Sequence, residues 1–489
     1  MATARASARA KKAIATHLDA IVIGSGPAGQ RAAEYLAQKG KKAAVVNPMA
    51  EVGSLKLALS TGAALPFFTF REAVLYLSGQ RQTAFESEPD GPQRRISREA
   101  ILHRIESVAK WSTESAMARM HAAGVAVVHG VARFVGPHML RVSDTIMHRP
   151  ITMTADAFII ATGSHTVNDP NIPFDGRHII PCDRMLQYLT HRIPRRPIII
   201  GATVQGVEYA STLASLPNVQ PTVVESNPDV LPQMDDGMRR RLFERMRQKG
   251  VAFKIGARAL DVDVVQSTGE VHVALSTGET VVGDVAVFAQ SKSGNTDNLN
   301  LEAAMGSPDG IDSRGFIKVN RDMQTMAPHI YAVGNVISQT GVSYLSGYQS
   351  LEAARHILGE PVPQRSLDDE LIPITINSIP QVSRVGPTQQ ALTRQQRPFV
   401  TGYAHHTELA IGQMLQRPGF MKLLIDPDTK RVLSVHTLGS AANESIHIGQ
   451  AVVAFQGTAD YLVTNIWNYP SFAEAYRVAA LDALSKCPT

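Results

Sequence analysis

Two glycine-rich turns in this sequence are of the kind that receive a phosphate. The first, Gly24-Ser25-Gly26-Pro27-Ala28-Gly29, follows the apolar run Leu18-Asp19-Ala20-Ile21-Val22-Ile23 and opens an Ala-rich helix from Gln30 to Gln38. Glycines at this spacing permit a tight turn and let the backbone approach a pyrophosphate, while the helix N-terminus offers amide donors to the anion. Set between a strand and a helix, the pattern is far more specific than the bare glycines. The second turn, Gly201-Ala202-Thr203-Val204-Gln205-Gly206, follows Ile198-Ile199-Ile200 and precedes a helix over Val207 to Leu216. It lacks the middle glycine. A Thr203 side chain is expected where backbone and pyrophosphate would meet, which degrades the site, and a Rossmann unit that no longer binds is the alternative.

An acidic residue is expected where the next strand ends, hydrogen-bonded to a ribose hydroxyl. After Ala43 to Val46 the sequence has Asn47 instead, which offers one carbonyl acceptor in place of a carboxylate, so affinity should fall rather than vanish. After Thr222-Val223-Val224 it has Glu225, which favours a free 2′-hydroxyl over a 2′-phosphate. Glu208, on the helix that follows the second turn, completes that pattern.

The elements around these residues give an α/β fold class, with two Rossmann-like dinucleotide-binding domains and a C-terminal α+β domain. Further strands are expected at Val125 to Val128, running into His129-Gly130, and at Glu270 to Leu275. The Pro-rich stretch Gly359 to Gln364 has the composition of a linker. Beyond it, strands are expected at Phe420 to Ile425 and Arg431 to His436, and helices at Ile446 to Phe455 and Phe472 to Ser485.

With 489 residues, 44% hydrophobic and 19% charged, the chain is long enough for about three domains. No apolar run is long enough to span a membrane. The formal charge of +5 owes much to Arg5, Arg9, Lys11 and Lys12, so the body is nearly neutral and no nucleic-acid partner is expected. Arg192, Arg195 and Arg196 are read as a solvated edge. Only Cys182 and Cys487 are present, in no metal-ligand or redox spacing, so no metal site is expected. Residues 1–17 hold no Asp or Glu and are rich in Ala, Ser and Thr, the composition of an organelle transit peptide or of a disordered bacterial extension. A cytoplasmic location is expected, with the mitochondrial matrix as the alternative.

Beyond residue 17 the chain resembles the soluble pyridine nucleotide transhydrogenases, flavoproteins of the dihydrolipoamide dehydrogenase and glutathione reductase superfamily. The resemblance is carried by Gly24 to Gly29, Ala161-Thr162-Gly163-Ser164, Gly201 to Ser211, Gly294-Asn295-Thr296 and Tyr331-Ala332-Val333-Gly334-Asn335-Val336. Near the C-terminus it rests on Ile446-His447-Ile448-Gly449-Gln450-Ala451 and on Asn468-Tyr469-Pro470 through Ala479. It implies an FAD domain over residues 18–165 and 290–360, an NAD(P) domain over 166–289 inserted into it, and a dimerisation domain over 365–489. It also implies FAD, NAD and NADP as cofactors and a homodimer. It sets Gly130 near the adenine, Thr162 and Gly163 in the FAD site, and Gly334 and Asn335 toward the flavin side chain. Tyr469 and Glu474 become candidate catalytic residues, placed by a two-fold dimer near the partner subunit's flavin.

The chain also departs from that family. Asn335, like Asn47, stands where relatives have an acid. Between Val52 and Phe70 the family has a glycine-rich turn, a cysteine-containing segment and a Pro-Ser-Lys whose lysine approaches the flavin. Here there is no cysteine, Pro66 is followed by Phe67 and Phe68, and Lys56 comes too early to be that lysine. Thiol relay is excluded, and direct hydride transfer between NADPH and NAD through flavin is the expected function. The alternative is a non-catalytic homologue that keeps the fold as a binding or scaffold protein.

Overall fold

The computed structural model describes residues 17–48, 64–78, 97–144, 150–337, 343–361 and 369–488. Lys56, the basic segment 1–16 and the linker stretch 362–368 lie outside them.

Runs of small and β-branched apolar residues build the first sheet. Leu18–Ile23 pairs in parallel with Ala43–Asn47 on one side and with the end of Pro150–Ile160 on the other, and Ile330–Ala332 extends the sheet beyond the latter. Ala20 to Val22 are fully buried, as a strand covered on both faces requires. Ala126–Gly136 pairs in parallel with Ala43–Asn47 only as far as His129. From Gly130 onward it turns antiparallel against Met139–Asp144. Gly130 is where it leaves the sheet: a Cβ there would stand 2.5 Å from Val142 and 2.6 Å from Ser143 O.

The second sheet is parallel throughout, in the order Ala252–Ile255, Thr222–Glu225, Pro197–Ile200, Val285–Phe288 and Ile179–Pro181. The chain enters this unit through Ser164–Thr166 and leaves it through Lys292–Gly294, and these two segments pair with each other as a short antiparallel ribbon. A third sheet is antiparallel and runs Ile374–Ile376, Val382–Val385, Val432–Leu438, Phe420–Ile425 and Val400–His405. Helices Ala442–Ala454 and Glu474–Leu484 pack on it.

One buried ion pair fastens the second unit to the third sheet. Asp235 caps the helix Asp236–Gln248 by accepting from the amides of Gly237 and Met238. The same carboxylate receives Lys422 Nζ at 2.9 and 2.8 Å, and Lys422 also donates to Gln389 Oε1 at 2.6 Å. Removing either partner would strand a charge that the fold keeps from water.

Arginine 192 bonds the Asp284 carbonyl and Arg196 bonds Glu270 at 2.7 Å, so these two side chains serve the rim of the second unit.

Candidate active site between two glycine turns

The first helix begins at Pro27, three residues before the expected start, because proline at the first helical position has its φ already set. Its cap is Gly26, with φ −65° and ψ 176° and no side chain to satisfy the first amides. The three glycines of the turn do different work. Gly24 has φ 111°, and a Cβ there would stand 2.4 Å from Ala161 O. One at Gly29 would stand 1.9 Å from Gly24 O. At Gly26 it would meet nothing within 4 Å. The space beside Gly26 is a cradle at a helix N-terminus, which is where a dinucleotide's pyrophosphate fits. Asn47 is buried at the end of the adjoining strand, beside this turn.

The second turn repeats the first in its backbone. Gly201 has φ 110°, with Ala289 O 2.5 Å from an added Cβ, and Gly206 would meet Gly201 O at 2.0 Å. The helix starts at Val204 rather than Val207, because Thr203 caps it with φ −67° and ψ 173°. The Thr203 hydroxyl donates to Ala289 O at 2.7 Å and accepts from the Gly206 amide at 3.3 Å. It is engaged with the turn itself, so the substitution that looked like damage in the sequence supplies a helix cap. Glu225 accepts from the Ala202 amide at 2.8 Å and from the Asn227 amide at 2.8 Å.

Both turns open into one cavity of ≈ 2470 Å³. Drug-sized ligands need roughly 300–1,000 Å³, so two dinucleotides have room. Gly24, Gly26, Asn47, Gly130, Thr162, Gly163, Gly334 and Asn335 line its first arm, and Gly201, Thr203, Glu208 and Glu225 its second. Gly29 and Gly206 stay behind the turns as packing positions. Thr162 and Asn295 tie the chain that leaves the first sheet to the chain that returns to it: Thr162 Oγ1 donates to Asn295 O at 2.8 Å, and Asn295 Nδ2 donates to Thr162 O at 2.9 Å. Gly334, with φ 76°, donates its amide to Gln349 Oε1 at 2.8 Å.

Between the arms the wall is apolar. Helix Ala64–Leu77 presents Leu65, Pro66, Phe67 and Phe68, and Phe67 meets Tyr209 edge-on at 4.8 Å. Glu208 lies there, 7% exposed, its Oε1 accepting from the Asn377 amide at 2.8 Å. Burial pushes its carboxyl up to about 7, against the opposing influence of that amide and of the Arg71 guanidinium. Arg71 is spent elsewhere, on Ser378 O at 3.1 Å and Glu72 at 2.5 Å. Lys292 also lines the cavity and is held by Asp183 at 3.2 Å. Sequence reasoning missed Lys292 and Asn377, since neither belongs to a motif that names a role.

Tyr469 and Glu474 are not in the wall of their own subunit's cavity. Tyr469 is 69% exposed ahead of Pro470, and Glu474 begins the helix Glu474–Leu484 with Arg477 at 3.9 Å. Phe455 and Ile466 of the same domain are 84% and 94% exposed. Both cysteines are free, Cys182 fully buried and Cys487 partly. No cluster of potential metal ligands occurs among the described residues.

Comparison with known proteins bears on the family and the fold. The chain is 36% identical over 469 residues to a soluble pyridine nucleotide transhydrogenase of Mycobacterium tuberculosis, spanning 96% of this chain and 97% of the relative. It is 34% identical to one of Photorhabdus laumondii, spanning 96% and 99%. Among solved structures, LpdA from Mycobacterium tuberculosis matches with a TM-score of 0.82 at 25% identity, over 95% of this chain and 99% of that one. The HOCl-induced flavoprotein disulfide reductase RclA from Escherichia coli shares the fold, with a TM-score of 0.81 at 23% identity over 96% and 100%. Residues 18–356 match the pyridine nucleotide-disulphide oxidoreductase model and residues 372–480 the dimerisation domain of the same family, to which this chain therefore belongs.

Proposed function

We propose that this protein moves hydride between NADPH and NAD through bound FAD, with no thiol relay. The observation that carries this reading is the pair of glycine turns opening into one cavity, with unfilled space beside Gly26. Bound flavin supplies the two-electron acceptor and donor. The chain's own residues bind, orient and exclude water. The amides of Gly26 and Ala28 would face the FAD pyrophosphate, Asn47 its ribose, and Gly334 and Asn335 the side chain next to the ring. The Gly201 turn would take the nicotinamide nucleotide, with Glu225 on its adenosine ribose. Phe67, Phe68 and Tyr209 would keep water from the space where the two ligands meet.

This assignment divides the chain into an FAD domain at 18–165 and 290–360, an NAD(P) domain at 166–289 and a dimerisation domain from 365, with residues 1–17 as an extension. In a two-fold homodimer Tyr469 and Glu474 would approach the other subunit's cavity, consistent with their position outside their own. No helix among the described residues is long and apolar enough to cross a membrane. Sparse cysteine favours a reducing compartment, the cytoplasm or the mitochondrial matrix.

The purified protein should be yellow and should catalyse NADPH-dependent reduction of thio-NAD. A colourless protein that takes up no FAD on reconstitution would leave only a scaffold role. Light scattering should give the mass of a dimer.

A further inference from the structure

The surroundings of Glu208 fit a task that the turns alone do not account for. A nucleotide held by the Gly201 turn has its adenosine end at Glu225, so its nicotinamide end runs the other way. Glu208 lines the same cavity five residues beyond Thr203, about 7.5 Å along the helix axis, where a nicotinamide would reach it. The ring it would meet has two charge states: cationic when oxidised, neutral when reduced.

The carboxyl has few partners to fix its own charge. Its hydrogen bonds come from the neutral backbone and side-chain amides of Asn377. The helix Ala64–Leu77 turns Phe67 and Phe68 to the cavity, and among the described residues the cation that acts on Glu208 is Arg71, whose guanidinium is shared with Glu72 and Ser378 O. On the element Cys182–Arg184, Cys182 is a thiol pushed up by burial, and Asp183 is paired with Lys292. On its own helix it has Tyr209, also pushed up by burial. The segment from Ile374 to Pro380 brings no charged side chain. A carboxyl so placed can exist in either state near neutrality, and burial raises it to about 7.

We propose that Glu208 selects the redox state of the nicotinamide nucleotide by exchanging a proton with solvent. As a carboxylate it faces the cationic ring of NAD⁺, and as a neutral acid it faces the uncharged ring of a reduced nucleotide. Binding of NAD⁺ to the protonated form then releases the Glu208 proton to water, and no covalent bond of the ligand changes. The inference rests on the Gly201 turn being the nicotinamide nucleotide site.

Titration calorimetry of the FAD-loaded protein tests it, with NAD⁺ as the probe in buffers of different ionisation enthalpy. NAD⁺ is chosen over NADP⁺ because a 2′-phosphate itself titrates near neutrality. The intact protein should release about one proton per NAD⁺ at about pH 6 and almost none at about pH 9, and affinity should fall up to about tenfold per pH unit below neutrality. Tetrahydro-NAD, whose ring is uncharged and gives up no hydride, should bind without release. Glu208→Gln should bind NAD⁺ with no proton released at any pH. Release that persists in that variant, or that is absent from the intact protein while NAD⁺ binds, overturns the proposal. If NAD⁺ does not bind the intact protein at all, the nucleotide-site reading fails and the inference with it. The pH series on the intact protein decides the matter even if the variant does not fold.

Discussion

The two glycine turns have nearly the same backbone and different middle residues. Gly24 and Gly201 share a left-handed φ and an approach to the carbonyl of a neighbouring strand's end, Ala161 in one case and Ala289 in the other. The Gly24 amide donates to Val46 O at 2.9 Å and the Gly201 amide to Val224 O at 2.8 Å. Gly29 and Gly206 are each pinned against the first glycine of their own turn. At the middle position Gly26 and Thr203 differ by only 2° in φ, −65° against −67°. The comparison separates two reasons for glycine. At the outer positions the fold requires it. At the middle position the backbone is ordinary extended chain, so only a ligand asks for space.

The largest expected effect follows directly. Gly26→Val should lose its flavin completely while unfolding at nearly the temperature of the flavin-free parent, because a Cβ there meets no protein atom within 4 Å and the backbone region suits it. Surface substitutions away from such constraints shift stability by about 0.5 kcal/mol or less. Flavin absorbance and a thermal melt on one sample make the test. A folded variant that stays yellow would remove the first turn from the FAD site.

Gly29→Ala and Gly206→Ala should do the opposite, harming the fold before the site. A methyl group set 1.9 or 2.0 Å from a carbonyl oxygen has to push strand and helix apart. Overpacking of this kind costs typically about 1–3 kcal/mol, and denaturant titration of the two variants should give similar losses. Unequal losses would mean that the two turns are less alike in solution than their backbones are here.

Much of this frame was legible from residue pattern. Glu270–Leu275 and Phe420–Ile425 fall where their alternation and apolar runs place them. Helix starts were missed by three residues at both turns, because Pro27 and Thr203 each begin a helix by a local device that hydrophobic periodicity does not register. The strand expected at Val125 to Val128 runs from Ala126 to Gly136, since its second half pairs with a different neighbour. What a sequence conceals most is distance along the chain. The hydroxyl of Thr203 is turned toward Ala289, and Glu208 is enclosed by Phe67 and Asn377, residues no local pattern connects to it.

The Thr203 pair sharpens the comparison at smaller cost. If the side chain serves as a cap, Thr203→Ala should destabilise the protein by about 1 kcal/mol and Thr203→Gly by only a few tenths, roughly 0.3 kcal/mol. Flavin content should not change in either. Opening the turn to match Gly26 should leave NAD⁺ affinity within about twofold, because the hydroxyl is already drawn back toward Ala289 O at 2.7 Å. Calorimetry showing much tighter binding by Thr203→Gly would restore the view that the threonine obstructs the pyrophosphate.

The smallest effects are expected from exchanging the residues at the strand ends, where the turns differ in charge. Glu225 holds its turn through the Ala202 and Asn227 amides, and a carboxylate accepts such bonds roughly twice as strongly as a neutral group. Glu225→Gln keeps the size and one acceptor oxygen, so folding should suffer by about 1 kcal/mol or less. Removing the charge also removes its repulsion of a 2′-phosphate, so NADPH should gain affinity relative to NADH. Asn47→Asp is the reciprocal change. Asn47 is 1% exposed, so a new carboxylate there is costly in the flavin-free protein, and a ribose hydroxyl donating to it would lower that cost. The variant should therefore melt lower without FAD and show a larger rise in melting temperature when FAD is added. An Asn47→Asp protein whose FAD-induced shift equals that of the parent would mean that the ribose does not lie against this strand end.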